Sequence, residues 1–177
     1  MAKTSVTSAL AIGALALLGF GLSGCSAAQE IADSVEGELS GGESEVRDGE
    51  TQEVTESGDL DVFKLAMGDC FNDAGSTMVS EIPVVPCSEP HDYEVYFEVE
   101  MPAGDYPGDE AISAQAEGDC TAQFATFVGL PYEESALNFS YLTPTQQSWD
   151  DADDRLIQCI VTDEAAQTTG SLAGAAR

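Results

Sequence analysis

The sequence predicts an α+β domain. A small antiparallel sheet carries one main helix packed across it, with two disulfides and a disordered N-terminal tether in front. Three observations carry this. Residues 109–128 hold an apolar stripe of helical period, several shorter segments alternate with period two, and four cysteines (Cys70, Cys87, Cys120 and Cys159) fall in the same region. That order of strands and a helix reads as α+β with an antiparallel sheet.

The first 24 residues stand apart. They contain no acid, one basic residue (Lys3) and an apolar stretch from about Ala9 to Leu22. That stretch is short for a membrane span, which needs about 20 apolar residues, and it suits the apolar core of a secretory signal peptide. There is no twin arginine, so the general secretion route is expected. Leu22-Ser23-Gly24-Cys25 closely resembles a bacterial lipobox: a branched apolar residue, two small ones, then cysteine. Cys25 is therefore expected to be lipidated and to become the mature N-terminus. Two acyl chains make a stable anchor without a transmembrane helix.

Residues 26–60 hold 11 acids, one base (Arg47) and no aromatic residue. Such a segment buries too little apolar surface to offset its ordering entropy, so it is expected to be a tether. The domain is expected to run over residues 61–177. Val62–Ala66 reads as a strand, residues 67–73 as a turn around Gly68-Asp69, and Glu81–Cys87 as an extended segment punctuated by Pro83 and Pro86. Tyr93–Met101 is the clearest strand. Strict alternation there sends Tyr93, Val95, Phe97, Val99 and Met101 to the core, and Glu94, Tyr96, Glu98 and Glu100 to water.

Asp109–Val128 reads as a helix. Asp109 and Glu110 suit its positive end, Ile112, Ala116, Cys120, Phe124 and Val128 form one stripe, and Gly129 stops it. Ala136–Leu142 reads as a strand, and a short helix is expected around Trp149. Arg155–Thr162 is a last strand, with Ile157, Cys159 and Val161 on one side. Four cysteines in an exported chain read as two disulfides and allow three pairings. Cys70–Cys87 is favoured because it brackets a short turn-rich segment. Cys120–Cys159 is favoured because a helix-stripe cysteine and a core-facing strand cysteine meet where helix crosses sheet.

Several phrases in this region carry a family resemblance. They are Gly68-Asp69-Cys70-Phe71, then Val84-Val85-Pro86-Cys87-Ser88-Glu89-Pro90-His91-Asp92, and Pro131-Tyr132-Glu133-Glu134-Ser135. Tyr141-Leu142-Thr143-Pro144-Thr145, Ser148-Trp149 and Thr169-Gly170-Ser171-Leu172 follow. The pattern resembles the septum-formation domain of actinobacterial envelope proteins over about residues 65–174. The resemblance implies an exported or membrane-attached protein of the cell envelope or septum, and implies no reaction.

Charge excludes some functions. The chain has 33 acidic against 5 basic side chains, a formal net charge of −28. It cannot neutralise a run of phosphates, so no nucleic acid is expected, and no polybasic patch holds it to anionic lipid. His91, the lone histidine, is the one ordinary neutral-pH acid–base candidate. Ser88, His91 and Asp92 lie too close in a Pro-bounded turn to align as a triad, so a structural turn is expected. Asp150-Asp151-Ala152-Asp153-Asp154 lacks the mid-loop Gly and late Glu of a Ca²⁺ loop. The cysteine spacings lack any Cys-x-x-Cys, so no metal and no cofactor is expected.

The candidate contact residues are His91, Asp92, Tyr96 and Trp149. The expected protein is a non-enzymatic lipoprotein on the extracytoplasmic face of the cell membrane, anchored at Cys25, with an envelope protein of basic surface as partner. A small envelope enzyme using His91 and a solute- or cation-binding lipoprotein are the alternatives.

Overall fold

The computed structural model describes residues 46–75 and 80–177. The expected signal peptide, the lipidation of Cys25 and the tether as far as residue 45 lie outside the described residues. Six strands form one antiparallel sheet: β1 (Gly58–Asp61), β2 (Cys70–Phe71), β3 (Glu81–Val85), β4 (Tyr93–Glu100), β5 (Asn138–Leu142) and β6 (Leu156–Thr162). Their spatial order is β1-β3-β2-β4-β6-β5. The main helix α1 (Asp109–Val128) packs on β4, β5 and β6, and a short helix α2 (Gln146–Asp151) precedes β6. Among the described residues no helix is long and apolar enough to cross a membrane.

Helix α1 follows from its sequence. Its buried residues are Ile112, Ala116, Cys120, Phe124 and Val128, the expected stripe. Gly129 closes it with φ 89°, a left-handed conformation that a side chain disfavours. Helix α2 is closed at its start by Thr145 and Ser148, each side chain taking up the other's backbone N–H. Both disulfides join the expected partners. Cys70–Cys87 spans 17 residues and Cys120–Cys159 spans 39. Loops of that size contribute about 3–4 kcal/mol each in the chain-entropy account.

The expected strict alternation in β4 is corrected. Val95 pairs with Ile160 and Phe97 with Cys159, so Tyr96 is an extra residue, a β-bulge. A one-residue insertion exchanges the faces of everything beyond it. Before the bulge, Tyr93 and Val95 join a core with Phe71, Val84 and Ile160. After it, Phe97 and Val99 join the cores under α1. Both sheet faces are therefore packed around β4. Glu94 and Tyr96, expected in water, are 2% and 4% exposed.

The boundary at residue 61 is also corrected. Residues 46–60, expected in the tether, pack onto the sheet. Val46 and Leu60 are buried, Arg47 and Val54 form a bridge, and β1 pairs with β3. Val62–Lys64 is a 3₁₀ turn in place of the expected strand, because the Asp61 carboxylate accepts from the Phe63 N–H and curls the chain. Pro83 sits inside β3. Its carbonyl accepts from Asn72, just past the end of β2, so its missing N–H falls where that neighbour strand stops.

Arg47 explains why this early segment folds. Its guanidinium makes a two-pronged contact with Asp69, with Nη1 donating to Oδ1 at 2.8 Å, and Nη2 also donates to the Lys64 carbonyl at 2.9 Å. Asp69 in turn accepts from the Ala66 N–H at 2.7 Å. Both side chains are largely buried, 12% and 5% exposed. Removing one partner leaves a buried charge, so Arg47→Ala should destabilise the domain by about 3 kcal/mol. Urea unfolding measures this, and a loss under about 0.5 kcal/mol, the ordinary surface value, would contradict the assignment.

Burial holds the Tyr96 phenol well above its ordinary 10.0, with smaller contributions from Glu117 and Tyr132. The unfolded chain therefore loses this proton first as pH rises. Stability from Tyr96 is complete below pH 10.0 and falls above it. A Tyr96→Phe chain should show a shallower alkaline loss of stability, and an unchanged slope would refute the linkage.

Candidate functional site

A densely bonded polar region lies where β3 turns into β4. Cys87 is fixed to Cys70 across the start of that turn, and the Glu89 N–H donates to the Pro86 carbonyl at 2.8 Å. This delivers His91 to the interior, 0% exposed. Its Nδ1 lies 2.9 Å from the Glu89 carbonyl and its Nε2 lies 3.0 Å from Thr168 Oγ1. A carbonyl only accepts, so Nδ1 carries the hydrogen. Nε2 then accepts from the Thr168 hydroxyl in the neutral ring. The backbones of His91 and Thr168 also exchange both hydrogen bonds, at 2.9 Å each.

Glu94 completes the region. Its Oε1 accepts from Ser171 Oγ at 2.6 Å and its Oε2 from the Leu172 N–H at 2.7 Å. The Gly170 N–H donates to the Cys87 carbonyl at 2.6 Å. The C-terminal segment from Thr168 to Leu172 is thus strapped across the turn, and Leu172 enters the core under α1. Ligand atoms of Cys70, His91 and Glu94 lie within 4.8 Å of one another. The donor set does not suit a metal in this state. The sulfur is in a disulfide, both ring nitrogens are engaged and both carboxylate oxygens already accept.

The Ser88, His91 and Asp92 set does not converge. Neither ring nitrogen faces Ser88 or Asp92, and the Asp92 carboxylate accepts from the Asp73 N–H at 3.0 Å. Asp73, Asp92, Asp163 and Glu164 line one shallow acidic hollow beside Tyr93. Burial first, then the charges of Asp73 and Asp92, push the Tyr93 phenol up. Tyr96 lies in the core with its hydroxyl donating to the Cys120 carbonyl at 2.8 Å, so it offers no exposed contact. Trp149 is buried in a separate cluster. Its Nε1 donates to the Gly104 carbonyl, and the Arg155 guanidinium lies 3.8 Å over its ring. His91, Asp92, Tyr96 and Trp149 therefore occupy different surroundings. In the acidic run, Asp153 pairs with Arg155 and Asp154 accepts from Ser148 and from the Leu156 N–H, which forms a turn.

The family model described as septum formation matches residues 48–177. The chain belongs to the septum-formation family. The matched stretch takes in nearly all of the described residues, the strapped C-terminus included. "Putative lipoprotein LppN" of Mycobacterium tuberculosis is 31% identical over 93 residues, 51% of this chain and 50% of that protein. The protein of the same name in Mycobacterium bovis matches equally. The chain spans about half the length of the curated relatives it matches. No solved structure matches.

Glu94, Thr168 and Ser171 are not among the candidate contact residues that the sequence offers. Glu94 sits at a position that alternation assigns to water, and the two hydroxyls lie in a tail without apolar period. His91 was the available signal, as the lone histidine beside a disulfide cysteine. His91→Ala strands the Thr168 hydroxyl and the Glu89 carbonyl, so it should destabilise the domain by about 2 kcal/mol. An unchanged unfolding midpoint would refute the strap.

Proposed function

We propose that this chain is a lipid-anchored envelope lipoprotein on the extracytoplasmic face of the cell membrane. Its septum-formation domain acts as a non-enzymatic binding or assembly module. The observation that carries the reading is the sealed state of His91. The lone histidine is fully buried, its two ring nitrogens are bonded within the fold, and it lines neither the groove beside Phe63 nor the hollow beside Tyr93. A general acid or base needs reach to a substrate proton. The family and the lipoprotein name of the relatives support the envelope setting, and the lipobox supports attachment at Cys25.

The strongly acidic domain surface favours a partner with a basic face, bound more weakly as salt rises. Crosslinking in live cells from the surface of this domain should yield an adduct with an envelope protein. Recovery of none would refute the module reading. Cys25→Ala should move the chain out of the lipid-modified fraction, read by loss of acyl-chain labelling. Retained labelling would place the lipid elsewhere.

A further inference from the structure

Residues 62–69 form a loop whose interior is tied down and whose outside carries two large apolar side chains, with Lys64 exposed beside them. Beneath it, Arg47 donates to the Lys64 carbonyl and pairs with Asp69. Gln158 donates to the Leu65 carbonyl at 2.7 Å, and the Gly68 N–H donates to the Val95 carbonyl at 2.8 Å. On its outer side stand Phe63 and Met67, 60% and 62% exposed, the large exposed apolar side chains among the described residues. A loop fixed from below has little conformational freedom left to lose on binding, so its exposed side chains suit an anchor.

Phe63 also forms one wall of an open groove of about 490 Å³. Its other walls come from the end of β4 and from the turn between α2 and β6, and include Glu100, Asp153, Asp154 and Arg155. Arg155 is spent inside the fold. It lies over Trp149, donates to the Trp149 and Asp154 carbonyls and pairs with Asp153. Three carboxylates against one engaged guanidinium leave the rim negative.

We infer that Phe63, Met67 and this acidic groove form the docking surface for a partner protein. The segment that docks carries a large apolar side chain flanked by lysine or arginine. Charge complementarity decides the occupant. A second copy brings the same excess of acid, a net −28 per chain, and is repelled. An anionic bilayer surface is repelled by the rim for the same reason. A basic segment with an apolar anchor satisfies both features, with the apolar contact giving hold and the rim giving approach and orientation. This inference rests on the binding-module reading and names its surface.

The test uses the full lipidated chain in non-ionic detergent and a fluorescent peptide, Lys-Lys-Leu-Phe-Lys-Lys. Anisotropy should show saturable binding that weakens with salt. A chain with Phe63→Ser and Met67→Ser should bind about tenfold more weakly. Glu100→Gln with Asp153→Asn should do the same while leaving circular dichroism and the melting midpoint unchanged. Absence of binding overturns the surface. So does equal affinity for Lys-Lys-Gly-Gly-Lys-Lys, or equal affinity of either variant chain, since only diffuse attraction would then remain. A Phe63→Trp chain in vesicles with brominated acyl chains gives the bilayer outcome, because indole quenching beyond the parent's would put the loop in lipid and overturn the inference. If this surface fails while in-cell crosslinks to an envelope protein persist, the module reading stands and its contact lies elsewhere.

Discussion

The β-bulge at Tyr96 is the constraint on which the rest of this fold depends. A regular β4 would send one set of alternate side chains to α1 and leave the other against water. The inserted residue exchanges the faces midway along the strand. Tyr93 and Val95 then build one core with β2 and β3, and Phe97 and Val99 build another with α1. A domain of this size gains from using both faces of a six-stranded sheet, because buried area relative to chain length limits small folds. The bulge also puts the Tyr96 hydroxyl against the Cys120 carbonyl, beside the disulfide that joins α1 to β6.

Two buried polar groups close the periphery around this centre. Arg47 with Asp69 draws the segment before β1 onto the sheet. His91 with Thr168, and Glu94 with Ser171 and Leu172, draw the C-terminal segment across the turn after β3. Each holds a stretch of poor apolar content, which burial alone would not retain. Polar groups in these places are specific because their partners sit at one geometry, and costly to break because a buried unpaired group loses its solvation. The result is an acidic body in which His91 and Glu94 face inward. What it presents outward is shape, charge and the loop around Phe63.

Much of the fold was legible from period and punctuation. The α1 stripe from Ile112 to Val128 and its Gly129 stop are local signals, because one helix turn fixes which residues share a face. The core face of β6 was equally readable, since Ile157, Cys159 and Val161 keep period two without interruption. The edges of the domain were not. Arg47 looked like a stray base among acids, and its partner Asp69 is 22 residues away. Alternation could not reveal the bulge, because one inserted residue leaves the composition of β4 unchanged. Glu94 and Tyr96 were therefore assigned to water. The site followed the same division: His91 stood out as the lone histidine, whereas Thr168, 77 residues later, carried no signal.

The sequence by itself determined the class of domain, its main helix, the favoured disulfide pairs, the sign of its surface and the resemblance of Leu22-Ser23-Gly24-Cys25 to a lipobox. Those properties come from composition and from short-range periodicity, which the chain carries wherever it folds. Only the tertiary structure decided that residues 46–60 pack on the sheet, which face each β4 residue takes, and that His91 is sealed beneath the C-terminal strap. It also decided that Phe63 and Met67 stand exposed on a loop tied from below. Each of these depends on a partner distant in the chain. The physical reason is that burial and hydrogen-bond satisfaction are properties of an assembled neighbourhood, and no local pattern specifies who the neighbour is.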